Sequence, residues 1–132
     1  MAETTDFELV SPEKLLVSEP AEMVVVPGAE GDFGAMPRHA PMITGVRAGV
    51  IEVHNAGRAE KRIFVAGGFA EVTETRITVL AEEAIPLSEV TPEAAVHRLS
   101  AAEAELANAT TEAGKAEAAR RVKIARALHD AL

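Results

Sequence analysis

Short runs of apolar residues, each closed by a turn-forming cluster, fill roughly the first two thirds of the chain. Residues 7–10, 14–17, 22–26, 42–44, 50–54, 61–66, 69–72 and 76–80 are rich in Val, Ile, Leu and Phe. They are punctuated by Ser11-Pro12, Ser18-Glu19-Pro20, Pro27-Gly28, Gly45 and Asn55-Ala56-Gly57. Asn55 and Gly57 tolerate positive φ, so the last cluster reads as a hairpin turn. In Arg76-Ile77-Thr78-Val79 apolar and polar positions alternate, the period of a strand buried on one face. Short β-branched strands at this spacing predict an all-β sandwich.

The period changes at residue 87. Thr91-Pro92-Glu93 places an N-cap, a proline suited to the first helical position and an acid in the first turn. Ala95, Leu99, Ala102 and Leu106 follow at alternating four-and-three spacing. Past Asn108-Ala109-Thr110-Thr111 a second helix runs from about Glu112 to the end, with Arg121, Ala125, Leu128 and Leu132 on one stripe. Small residues alternating with leucine let two antiparallel helices approach closely. Gly114 lowers the propensity of the second helix by about 1 kcal/mol relative to Ala. The expected architecture is β plus α: a sandwich over residues 1–86, then a two-helix hairpin over 87–132.

Residues 27–42, PGAEGDFGAMPRHAPM, interrupt the strand pattern. Pro27, Pro37 and Pro41 remove amide donors, and Gly28, Gly31 and Gly34 free the backbone. The segment reads as a long, stiff loop presenting Glu30, Asp32, Arg38 and His39, with Phe33 and Met36 turned into the core. Gly67-Gly68 reads as a bulge or strand bend beside a buried Phe69.

Charge narrows the set of partners. Acids outnumber bases by 21 to 13, and residues 1–90 hold the whole excess, with 15 acidic and 7 basic side chains. An acidic body is repelled by nucleic acid and by anionic lipid. With no Trp or Tyr there is no base-stacking platform either. The acidic, polar start fits neither a secretory signal nor a transit peptide, which favours a bacterial chain, and no apolar run is long enough to insert in a membrane. Any membrane association therefore passes through a protein partner.

Catalytic chemistry has few footholds. Cysteine is absent, no Gly-x-Ser-x-Gly elbow occurs, and Gly114-Lys115 runs into Ala116 inside a helix pattern. His39, His54, His97 and His129 lack ligand spacing. Neither an active site nor a cofactor is expected. One alternative from another class remains: a stand-alone sandwich whose helical hairpin captures a partner peptide or helix.

Three segments resemble the epsilon subunit family of the F-type ATP synthase. They are Gly28-x-Glu30-Gly31-Asp32-Phe33-Gly34 with Pro37-Arg38-His39-Ala40-Pro41, then Gly67-Gly68-Phe69-Ala70-Glu71-Val72, then Thr78-Val79-Leu80-Ala81-Glu82-Glu83-Ala84. The resemblance implies a non-catalytic central-stalk subunit on the cytoplasmic face of a bacterial membrane, coupling ion flow to ATP synthesis. It implies that Glu30, Asp32, Arg38 and His39 meet the membrane ring, and that Gly67 and Gly68 lie against the gamma subunit. In the family the hairpin lies folded or extends, and the extended second helix meets a catalytic beta subunit. That assigns regulatory contacts to Arg120, Arg121, Lys123 and Arg126. Some relatives bind ATP through Ile/Leu-Asp-x-x-Arg-Ala at the first helix. Here Val90-Thr91-Pro92-Glu93-Ala94-Ala95 lacks both charged residues, so no nucleotide site is expected.

Overall fold

A computed structural model describes residues 3–132. The chain divides into two compact units, the first ending at Pro86 and the second running Leu87–Leu132. In the first unit lie β1 (Thr5–Ser11), β2 (Lys14–Ala21), β3 (Met23–Gly28), β4 (Gly31–Ala35), β5 (Met42–Gly45), β6 (Gly49–Asn55), β7 (Arg58–Val72) and β8 (Arg76–Pro86). They bond in the order β2-β1-β8-β7-β6-β3-β4, with β5 also on β7.

The long β7/β8 hairpin is shared by both layers of the sandwich. Its residues 58–65 pair with β6, whereas residues 69–72 pair with β5. Between these stretches stand Gly67 and Gly68, at φ 70° and 116°. A Cβ on Gly68 would lie 1.9 Å from the Leu80 carbonyl oxygen, so the bend admits only glycine there. The register with β8 continues unbroken through the pair, which makes the feature a bend and not a bulge. Phe7, Leu9, Val24, Val26, Ile51, Val53, Val65, Val72, Ile77 and Val79 fill one core between the layers. As expected from their alternation, Ile77 and Val79 point inward while Arg76 and Leu80 face out. Ala56 and Gly57, at φ 56° and 78°, make the β6–β7 turn.

Several expectations are corrected. Residues 31–35 form β4, not loop: Gly31 at φ 142° closes a tight turn, and the prolines lie outside this five-residue edge strand. Pro20 does not end β2, because that strand is also an edge and can spare an amide. The runs 61–66 and 69–72 are one strand, since the two glycines bend it without ending it. Phe69 and Met36 are exposed, while Phe33 is partly buried against the core.

In the second unit a short 3-10 turn (Leu87–Glu89) precedes α1 (Pro92–Asn108) and α2 (Glu112–Ala131). The Oγ1 of Thr91 accepts from Ala94 N–H, and that of Thr111 from Gly114 N–H. Gly114 thus sits in a capped first turn, where a Cβ would crowd Thr111 Oγ1 at 2.9 Å and the interior penalty does not apply in full. Ala95, Ala102, Ala118, Ala125 and Leu128 are buried. Arg121 and Leu132 lie outside that buried set, both exposed.

Candidate functional site

The sandwich corner at Gly67-Gly68 gathers three segments. One is the β3–β4 turn through Ala29 and Glu30, and another is the β5–β6 connection through Val46 and Arg47. Ala29 N–H donates to Gly45 O at 2.8 Å, and Arg47 N–H to Pro27 O at 2.9 Å. Val46 N–H donates to Gly68 O at 2.9 Å, tying the third segment, the bend itself, to the other two. The Arg47 guanidinium donates to Gly28 O and pairs with the Asp32 carboxylate. Glu30 stands exposed at the turn tip and has no ion pair among the described residues.

The four charges expected on one loop are not held together. β4 carries the chain five residues, roughly 15 Å, away from the turn. At its far end Arg38 adopts φ 66°, its N–H donates to Glu74 O at 2.7 Å, and its guanidinium pairs with Glu3 at 3.0 Å. His39 turns back, with its ring 6.3 Å from that of Phe33 and its Nδ1 2.6 Å from Ala40 O. The corner therefore presents Glu30 and Asp32, while Arg38 belongs to the opposite end.

Across the outer face an apolar row emerges that sequence reading missed. Gly45 is opposite Phe69, Phe69 opposite Leu80, Leu80 opposite Val10, and Val10 opposite Leu15. Cross-strand partners share a face, so the side chains of Phe69, Leu80, Val10 and Leu15 line up over four strands, with Gly45 on a fifth. Phe69, Leu80 and Leu15 are each more than half exposed, and Ile43 beside them is 72% exposed. A groove of about 400 Å³ runs between Val10, Pro12, Phe69 and Leu80. Gly45 joins this row to the turn, since a Cβ there would touch Ala29 Cβ at 3.6 Å. The arrangement combines an apolar strip, a turn held by backbone bonds and, at its tip, a carboxylate with no ion pair among the described residues. Gly67 and Gly68 serve the bend itself: the Leu80 carbonyl requires a bare backbone at Gly68, and the positive φ of 70° favours glycine at Gly67.

On α2 the basic residues are mostly engaged. Arg121 pairs with Glu105 of α1 at 3.2 Å and with Glu117, while Arg126 reaches Glu103 of α1 at 3.8 Å. Arg120 pairs with Glu117 at 3.3 Å. Its hydrogen bond and charge, then the charge of Arg121, hold the Glu117 carboxyl below the usual carboxylate range. Lys123 alone of the four has no carboxylate partner among the described residues. No described helix is long and apolar enough to cross a membrane.

These parts define a bent β-sandwich followed by a two-helix hairpin. The model of the ATP synthase delta/epsilon chain β-sandwich domain matches residues 4–87. The chain is 65% identical over 128 residues to the ATP synthase epsilon chain of Rhodospirillum rubrum, spanning 97% of this chain and 96% of that one. It is 59% identical, with the same coverage, to the epsilon chain of Paramagnetospirillum magneticum. A chain in the Euglena gracilis mitochondrial ATP synthase, solved as OSCP, F1 and c-ring, shares the fold with a TM-score of 0.83 at 24% identity. That match covers 97% of this chain and 81% of the other. A chain of the Tetrahymena thermophila mitochondrial ATP synthase central stalk and c-ring gives 0.68 at 14% identity, covering 98% and 97%. The chain belongs to the ATP synthase epsilon chain family, whose members are non-catalytic stalk subunits of the rotary synthase and not enzymes in themselves.

Proposed function

We propose that this chain is the piece of the central stalk that rests on the membrane ring and grips gamma, coupling ion flow to ATP synthesis. The observation that carries the reading is the sandwich corner, where the rigid turn bearing Glu30 adjoins the exposed row Phe69–Leu80–Val10–Leu15. The turn faces the polar loops of the ring, and the apolar row meets gamma. A stalk transmits torque only through contacts that do not yield, and a turn laced by backbone bonds and an Arg–Asp pair is stiff. Both structural neighbours come from assemblies solved with a c-ring, one of them the central stalk and c-ring of the Tetrahymena enzyme, and that supports this placement. The site of action is the cytoplasmic face of a bacterial inner membrane, reached through protein partners. Gamma contact passes through the apolar row beside Gly67-Gly68, not through the glycines themselves.

The hairpin adds regulation. When α2 leaves α1, Arg121 and Arg126 lose Glu105 and Glu103; Arg126 and Lys123 then meet an acidic segment of a catalytic beta subunit, and Arg120 and Arg121 join them by exchanging Glu117 of their own helix for that segment. Removing residues 112–132 then raises ATP hydrolysis by the assembled enzyme, and an unchanged rate would refute the inhibitory role.

Membranes stripped of this chain test the coupling role. Adding it back restores ATP-driven proton pumping; restored hydrolysis without pumping would leave the stand-alone binding module as the better reading.

A further inference from the structure

Arg47 has no role in the family resemblance, yet it is the residue that ties the corner together. Its side chain reaches back 19 positions to Gly28 O and 15 to Asp32, and its own N–H bonds Pro27 O. Three anchors on one residue span the end of β3, the start of β4 and the β5–β6 connection. Charge-assisted bonds of this kind are about twice as strong as neutral ones. Two consequences follow for the carboxylates of the turn. Asp32 is engaged within the chain by Arg47, in a pair on the surface that leaves the Asp32 side chain 63% exposed. Glu30 has no ion pair among the described residues, and the bonded backbone of the turn sets where it stands.

We propose, resting on the ring-docking reading above, that Arg47 is a positioning residue for the β3–β4 turn. Glu30 rather than Asp32 is then the carboxylate that recognises the ring. The group it accepts from is a cationic or amide donor on a polar loop of the ring, because an exposed carboxylate only accepts. Asp32 contributes indirectly, by holding the tip in register.

Two measurements separate these roles. Amide hydrogen exchange over residues 29–31 of the full-length isolated chain reads the lock without any partner. Arg47→Ala and Asp32→Asn should each speed it, Arg47→Ala by about tenfold, the scale of one lost charge-assisted bond. Glu30→Gln should leave it unchanged. Retention of the chain on membranes carrying the rest of the synthase reads recognition. Glu30→Gln should lower affinity about tenfold, Asp32→Asn by less, and Arg47→Lys should recover part of the Arg47→Ala loss. Unchanged exchange in Arg47→Ala overturns the positioning role. Normal exchange in Asp32→Asn with a retention loss larger than that of Glu30→Gln overturns the assignment to Glu30 and makes Asp32 the direct contact. If wild-type chain is not retained at all, the ring-docking reading fails and the recognition half of the proposal falls with it, while the exchange data still decide the lock.

Discussion

Gly68 is the clearest single-residue demand in the chain. Its φ of 116° and the Leu80 oxygen at 1.9 Å from a built Cβ leave no relaxed geometry for a side chain. Gly68→Ala is expected to destabilise the sandwich by about 2 kcal/mol or more, read as a fall in the urea midpoint at unchanged slope. An unchanged midpoint would mean that the bend does not need glycine. Glu117 offers a second test. Its carboxyl is held low in the folded hairpin, so the ion pairs with Arg120 and Arg121 stabilise above the unfolded carboxylate pKa. That contribution fades as pH falls through the folded value. Arg120→Ala should move the Glu117 midpoint upward in a carboxyl NMR titration. Glu30 was legible as a turn residue from its glycine and proline neighbours. Arg47 was not, because its meaning lies in partners 15 and 19 residues away that only the fold brings near.

At the level of elements, most strands were legible wherever alternation and turn clusters coincided, as in β1, β6 and the start of β8. Errors fell on the edges and at the glycine bend of β7. β4 and β2 contain glycines or proline that would break a central strand, and edge positions forgive them. Helix starts were readable from Thr91 and Thr111, whose hydroxyls cap as their positions imply. The bridging of the helices by Glu105–Arg121 and Glu103–Arg126 was not readable, since it depends on which flanks of two helices meet. Each exposed pair contributes at most about 1 kcal/mol. Glu105→Lys should lower the thermal midpoint of the hairpin slightly by circular dichroism, and adding Arg121→Glu should restore it. A double variant no better than the single would show that the pair contributes nothing, and salt should shrink the difference.

For the whole molecule, composition and the change of period at residue 87 conveyed a sandwich followed by a hairpin, with the excess of acidic side chains on the sandwich. The exposed apolar row escaped sequence reading. Phe69, Leu80, Val10 and Leu15 are scattered between positions 10 and 80 of the chain and align only through the registers of four strands. A lone Phe after two glycines looks like core, and here it faces outward because β7 turns at Gly68. Phe69→Asp with Leu80→Asp should spare folding, since both side chains are already exposed, yet abolish the gamma contact. The most direct check is size-exclusion chromatography of the purified chain mixed with gamma at micromolar concentration. Coelution as one complex, lost in the double aspartate variant, is the expected result. Separate elution of the two wild-type proteins would contradict the stalk-coupling account.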